Sequence, residues 1–240
     1  MASKCFILLP LFSAILQFLT TLSSYVIGTQ IKENVHYLPY PSDLGVENPE
    51  RGIFSVGLCV STGLTFSVLL FRCMQVHSFY PRVCGRINVL SFACGVGMII
   101  GQSIVPAFSL DENKFVHYAG AVLYFISGWL YMVTQAHISR RYPYNHTQYI
   151  ITLRVVFAII GSVCPVTYIV ARIFAPKERH RYFIPQVSEW LLAVLFLVFI
   201  STFAWDFSKA RVRLNSYEIG PRSRKMSESL FARKDCESNM

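Results

Sequence analysis

Few side chains in this sequence are of types that do chemistry, and they fall into two sets. The first is Asp43, Glu50, His117 and Glu189, three carboxyl groups and one imidazole. Brought together, they would make a polar or metal-binding cluster. Each position also has a plainer use. Asn48-Pro49-Glu50 has the pattern of an N-cap, a proline at the first helical position and an acid facing the helix dipole. Ser188-Glu189 also suits a helix start. The sequence therefore supports an outer-face polar cluster and assigns no catalytic residue, no metal and no cofactor. The second set is Arg154 and Asp206. Asp206 falls at the C-terminal end of an apolar run, where a helix dipole disfavours an anion. A partner chosen from Arg72, Arg86, Arg154 and Lys209 would have to compensate, giving an ion pair that joins helix ends.

Other features concern packing and surfaces. Ala93, Gly97 and Gly101 recur every four residues and form a small-residue stripe on which two helix backbones approach closely; Gly57 and Ser61 do the same elsewhere. The default use of the stripe is packing within the chain, with a homodimer face as the alternative. Pro165 interrupts an apolar run and is expected to kink it. Lys209, Arg211 and Arg213 follow the last apolar run and suit contact with an anionic lipid leaflet, each worth on the order of 1 kcal/mol. Asn145-His146-Thr147 fits a glycosylation sequon. The seven cysteines show no extracellular framework spacing, and Cys236 stands one residue too early for a prenylation box.

These side chains must be held by apolar elements. The chain has 240 residues, 53% hydrophobic and only 15% charged, with a mean hydropathy of +0.44. That composition disfavours disorder, a collagen-like chain and an ordinary soluble enzyme. A net charge of +9 would suit nucleic acid, but a nucleic-acid binder does not need half its residues apolar, so no nucleic-acid partner is expected. Six windows lack Asp, Glu, Lys and Arg: Cys5–Ile31, Gly52–Phe71, Ile87–Leu110, Phe115–Ser139, Val155–Ala171 and Trp190–Trp205. A helix needs roughly 20 residues to cross the hydrocarbon. The last two windows reach that length with flanks, Arg154 being expected to snorkel to the nearer surface. The reading is an all-α polytopic membrane protein, a bundle of six transmembrane helices over about 6–28, 53–71, 87–109, 116–137, 150–173 and 187–205. The first span also has the basic start and apolar run of a secretory signal, but its run exceeds the usual length, so it is read as retained. Together these form a transmembrane domain over 1–208, with residues 29–52 as an outer lid loop and 209–240 as a basic, disordered cytosolic tail. Placing both termini in the cytosol puts fifteen basic residues on that side against seven on the other, as the positive-inside rule requires. Ionisable groups within the spans are too scarce for an ion pump or proton-coupled transporter.

The lid and the last span carry a resemblance. Leu38-Pro39-Tyr40-Pro41-Ser42-Asp43-Leu44-Gly45, followed by Pro49-Glu50-Arg51-Gly52-Ile53-Phe54, resembles the first-loop signature of the FRAG–DRAM–Sfk family. Asn88 with Gly97, His117 with Gly120, Arg154, Ser188-Glu189-Trp190 and Asp206-Phe207 match in order and at similar spacing. The match runs from about residue 6 to 214 and departs at Pro41 and in the basic tail. The resemblance implies a six-helix membrane protein with cytosolic ends and no shared catalytic mechanism. It further implies a non-enzymatic modulator of autophagy in late-endosomal or lysosomal membrane that recognises a lipid or a membrane or cytosolic protein partner. Other branches imply a lipid-remodelling factor for GPI anchors in the Golgi, or a plasma-membrane scaffold for a phosphatidylinositol 4-kinase complex.

Overall fold

The computed structural model describes residues 2–31, 38–80, 85–142, 148–174, 183–213 and 218–221. The apolar windows form helices α1 (Ala2–Ile31), α2 (Glu50–Phe79), α3 (Gly85–Ala107), α4 (Lys114–Arg141) and α5 (Gln148–Phe174). The last window forms two pieces, α6 (Phe183–Ser201) and α7 (Phe203–Lys209). Six helical stretches are long and apolar enough to cross a membrane, the sixth combining α6 and α7 over Phe183–Lys209. Backbone groups in hydrocarbon must be satisfied within the segment, which is why these windows coil and do not extend.

The helices pack in chain order, and α6 returns against α1 to close the ring. Lipid supplies no hydrophobic drive for this packing, so close backbone approach and interhelical hydroxyl bonds matter more. Both are present. A Cβ added at Gly101 would strike the Tyr124 backbone nitrogen and, at 2.6 Å, the Gly120 carbonyl oxygen of α4. A Cβ at Gly57 would strike Thr20 of α1. Ser13 and Thr65 share a hydrogen bond of 2.6 Å between α1 and α2, and Trp129 donates to Ser162 at 2.8 Å between α4 and α5. Aromatic side chains fill the centre, where Tyr131, Phe199 and Phe203 meet edge to face.

The bundle has two unlike ends. At the lid end a short 3-10 helix, Pro41–Gly45, lies across the helix mouths. Leu44 packs with Phe54 and Leu58, and Trp190 Nε1 donates to the Pro39 carbonyl at 2.8 Å. At the tail end β1 (Ala210–Arg213) pairs antiparallel with β2 (Glu218–Pro221). These two short strands lie within the tail expected from residue 209; the rest of that tail lies outside the described residues, as does the Asn145 sequon. The α2 helix also outruns its window. Scanning for charge stops the window at Arg72, whereas the helix continues to Phe79 because Arg72 and Gln75 are buried against neighbouring helices.

Candidate functional site

At the lid end, α4, α5 and α6 diverge beneath the 3-10 helix and leave a cavity of about 390 Å³. Each element delivers one of the residues singled out above. The start of α4 brings His117, the start of α6 brings Glu189, and the 3-10 helix brings Asp43. The α5 wall is Cys164, Pro165 and Tyr168. Proline cannot donate to the helical ladder, so the Pro165 turn is one of the less tightly bonded parts of α5. The α4 wall includes Tyr118, Val122 and Ile126, each about half exposed on the outside of the bundle. In a membrane that exposed side faces lipid, so the cavity opens sideways.

Local bonding fixes the polar groups. Asn113 caps α4 by accepting from the Val116 N–H at 3.1 Å. His117, one turn in, is 2% exposed, and its Nδ1 lies 2.8 Å from the Phe108 carbonyl oxygen. A carbonyl only accepts, so it is the His117 Nδ1–H that donates. Asp43 Oδ2 accepts from the Tyr40 N–H at 3.1 Å, which closes the start of the 3-10 helix. Glu189 Oε1 accepts from the Ser42 hydroxyl at 3.4 Å and Glu189 also accepts from the Ser42 backbone N–H. The lid thus hangs on α6 through Glu189 and Trp190. His117 and Glu189 line the same cavity without hydrogen-bonding each other.

Glu50 goes elsewhere. It is fully buried against α1 and packs beside Gly28, where a Cβ would sit at an ordinary contact distance of 3.5 Å from Oε1. Three of the four residues of the outer set therefore share the cavity and the fourth seats the start of α2. Among the described residues no three His, Cys, Asp or Glu side chains gather as a metal site. Nearby on the surface, Arg51 Nη2 meets Glu112 Oε1 at 2.5 Å. That guanidinium, followed by the Ser109 backbone N–H, holds the Glu112 carboxyl below the usual carboxylate range.

At the tail end, Asp206 Oδ2 accepts from Arg154 Nη2 at 2.6 Å and lies 3.1 Å from Arg72 Nη1. Arg154 and Asp206 are fully buried and Arg72 nearly so. Arg154 also donates to the Thr202 hydroxyl at 2.9 Å, the Thr202 carbonyl at 3.2 Å and the Ser139 hydroxyl at 2.8 Å. The expectation that Arg154 snorkels is therefore corrected: its guanidinium turns inward because α4, the break at Thr202 and α7 present it with acceptors. The Thr202 carbonyl also accepts from Trp205 N–H only three residues on, and here the sixth span breaks into α6 and α7. Arg72 donates to Gln135 at 3.0 Å and Gln75 at 2.9 Å, and both guanidiniums lie over the Phe203 ring. Lys209, a further candidate partner for Asp206, sits over Trp205 with Nζ 5.0 Å from its ring centre.

Gly97 and Gly101 face Ser127 and Tyr124 of α4, so this part of the stripe serves packing within the chain. Ala93 is exposed on α3 and does not share that seam. The side chains of Arg211 and Arg213 lie outside the described residues. Sequence reasoning missed Gln75, Gln135, Ser139 and Thr202. Their signal was available: they are polar side chains inside otherwise apolar spans, and Gln75 stands three residues from Arg72 on one helix face.

Comparison with known proteins adds a family to this geometry. Residues 5–210 match the Frag1/DRAM/Sfk1/Cwh43P N-terminal domain model. The chain is 27% identical to DNA damage-regulated autophagy modulator protein 2 of Rattus norvegicus over 229 residues, covering 87% of this chain and 86% of the relative. It is 28% identical to DNA damage-regulated autophagy modulator protein 1 of Xenopus laevis, covering 81% and 87% respectively. It is also 28% identical to the modulator of macroautophagy TMEM150B of Mus musculus, covering 72% and 71%. No solved structure matches the chain. The domain model spans the lid, the cavity and the buried ion cluster together, and the chain belongs to the Frag1/DRAM/Sfk1/Cwh43P N-terminal domain family.

Proposed function

We propose that this protein is a non-enzymatic modulator of autophagy in late-endosomal or lysosomal membrane, acting by recognising a lipid at its lid end. The reading puts both termini in the cytosol and the lid on the lumenal side. One observation carries the lipid part: a cavity of about 390 Å³ with a carboxyl-and-imidazole floor and a wall that opens toward lipid. The exposed Tyr118, Val122 and Ile126 on that wall give a membrane amphiphile a way in from the side. The autophagy part draws on relatives whose names describe autophagy modulation.

The test is genetic. Deleting the gene should alter autophagic flux under starvation, and the wild-type chain should restore it. Unchanged flux after deletion would overturn the autophagy part. A second reading, a lipid-remodelling factor, is favoured by the convergence of Asp43, His117 and Glu189 on one lipid-accessible cavity. It predicts altered lipid species in the deletion strain, corrected by the wild-type chain and not by Glu189→Gln. Scaffolding of a lipid kinase through the basic tail predicts instead that truncation after Leu214 abolishes function while membrane insertion persists.

A further inference from the structure

We propose that the bundle holds a second, deeper binding site, built around Gln102 of α3, that takes an uncharged O–H group as its ligand. The lid-end cavity does not stop at α4 and α6. Past Ser42, Ala121, Phe125 and Glu189, which line both spaces, lies an inner chamber of about 70 Å³. A void of about 10 Å³ continues from it along Gln17, Gln102 and Tyr124 to Ser13 and Thr65. The chamber has room for a few waters, or for a lipid hydroxyl with the carbon beside it; the void is the size of a single water.

Gln102 marks where the ligand binds. Its neighbours are bonded locally. Thr21 Oγ1 donates to the Gln17 carbonyl at 3.0 Å, the Tyr124 hydroxyl bonds with the Gln17 side chain, and Ser13 shares its hydrogen bond with Thr65 at 2.6 Å. Gln102 is only 5% exposed, yet its Nε2 has no hydrogen-bond partner among the described residues. Buried amides are almost always bonded, and a polar side chain inside an apolar span is costly to keep. An apolar residue of similar size would pack there without that cost. The side chain lines both the chamber and the void, so a partner for it has to arrive in that space.

The amide also sets the ligand's chemistry. It carries a donor on one side and an acceptor on the other. An O–H group donates and accepts, so it serves the amide in either of its two orientations, whereas a carbonyl serves only one. A neutral amide returns too little to offset the burial of a charged headgroup. A hydrocarbon end would suit Phe54, Leu58 and Val105 on the same wall but leave Gln102 unbonded. Two sources carry the right group: water, and the hydroxyl end of a lipid that enters through the lid-end cavity. Only the lipid source rests on the reading of that cavity as a lipid site; the site at Gln102 does not.

Both arms of the experiment use the full-length protein in maltoside micelles. In the first, millisecond radiolysis turns bound water into hydroxyl radicals, which oxidise the side chains beside it. Tyr124 is expected to be oxidised although it is buried, and Phe199, fully buried and lining none of the three spaces, to stay unmodified. In Gln102→Leu the Tyr124 oxidation should be lost. In the second, two photoactivatable probes share one chain, and one ends in a hydroxyl group where the other ends in a methyl group. If a lipid is the source, the wild-type protein should capture the hydroxyl probe at Phe54, Leu58 or Tyr124 about fivefold better than the methyl probe, as one neutral hydrogen bond would give. Gln102→Leu should then bring the two within about twofold. Tyr124 oxidation with equal capture of both probes identifies water as the ligand; hydroxyl preference identifies the lipid. The proposal is overturned if the wild-type protein shows neither Tyr124 oxidation nor hydroxyl preference, a result that needs no variant to fold, or if Gln102→Leu leaves both unchanged.

Discussion

Replacing Asp206 with Asn exchanges one oxygen for an amide nitrogen and barely changes volume, yet it should be among the most damaging substitutions in the protein. Asp206 Oδ2 faces two guanidiniums, at 2.6 Å and 3.1 Å, and all three side chains are buried. Among the described residues, Asp206 is the acid paired with both. Arginine does not lose its proton in a protein, so Asn leaves two buried cations facing each other. Removing one partner of a buried pair costs about 3–5 kcal/mol. By contrast, Arg72→Met leaves a balanced Arg154–Asp206 pair. It loses the bonds to Gln135 and Gln75, for about 1–3 kcal/mol. The larger change in shape should therefore cost less. Adding Arg154→Met to Asp206→Asn should cost less than the sum of the two by about 1–3 kcal/mol, because the second change removes a stranded charge. Unfolding by SDS titration in mixed micelles measures all four variants on one scale. The reasoning is refuted if Asp206→Asn is no more destabilising than Arg72→Met, or if the double substitution is fully additive.

Three further outcomes follow from other parts of the structure. Gly101→Ala should destabilise by about 1–3 kcal/mol, because its methyl meets backbone atoms of α4 that cannot rotate away, whereas Gly63→Ala, with no atom within 4 Å, should be neutral or slightly stabilising; the same SDS titration separates them. Trp190→Phe should remove the bond to the Pro39 carbonyl, at about 1 kcal/mol, and speed hydrogen exchange in the 3-10 helix Pro41–Gly45 relative to the body of α6. Glu112 titrates below its usual range beside Arg51, so its contribution to stability is fully present above about pH 4.5 and is lost as pH falls through its lowered folded value. Glu112→Gln should therefore flatten part of the acid limb of a stability–pH profile and leave the neutral region nearly unchanged. Because the pair is exposed, salt should weaken the effect.

The six spans were legible in the sequence because lipid makes one demand on every residue of a window: apolar side chains and internally bonded backbone. That Asp43, His117 and Glu189 would lie at one end was legible for a related reason: His117 and Glu189 stand near the start of apolar runs on the same side, and Asp43 lies in the loop between the first two spans on that side. What the sequence could not show was direction. Arg154 next to an apolar window has the same composition whether it reaches for the surface or for Asp206, and only the approach of Ser139 and Thr202 from other helices decides the matter. Glu50 likewise stands in the first turn of a helix at the lid end, as His117 does, but it is buried against α1 beside Gly28 and leaves the cavity. The end of α2 was misplaced because a charged residue closes an apolar window, although Arg72 is buried by partners more than sixty positions away.

The account stands most directly on the use of the lid-end cavity. Ala121 lines it, so Ala121→Phe fills that space while leaving Asp43, His117 and Glu189 unchanged. In cells lacking the gene, the variant should reach the same membrane at the same abundance as the wild-type chain and fail to restore autophagic flux under starvation. Full restoration of flux by the filled variant would contradict the account.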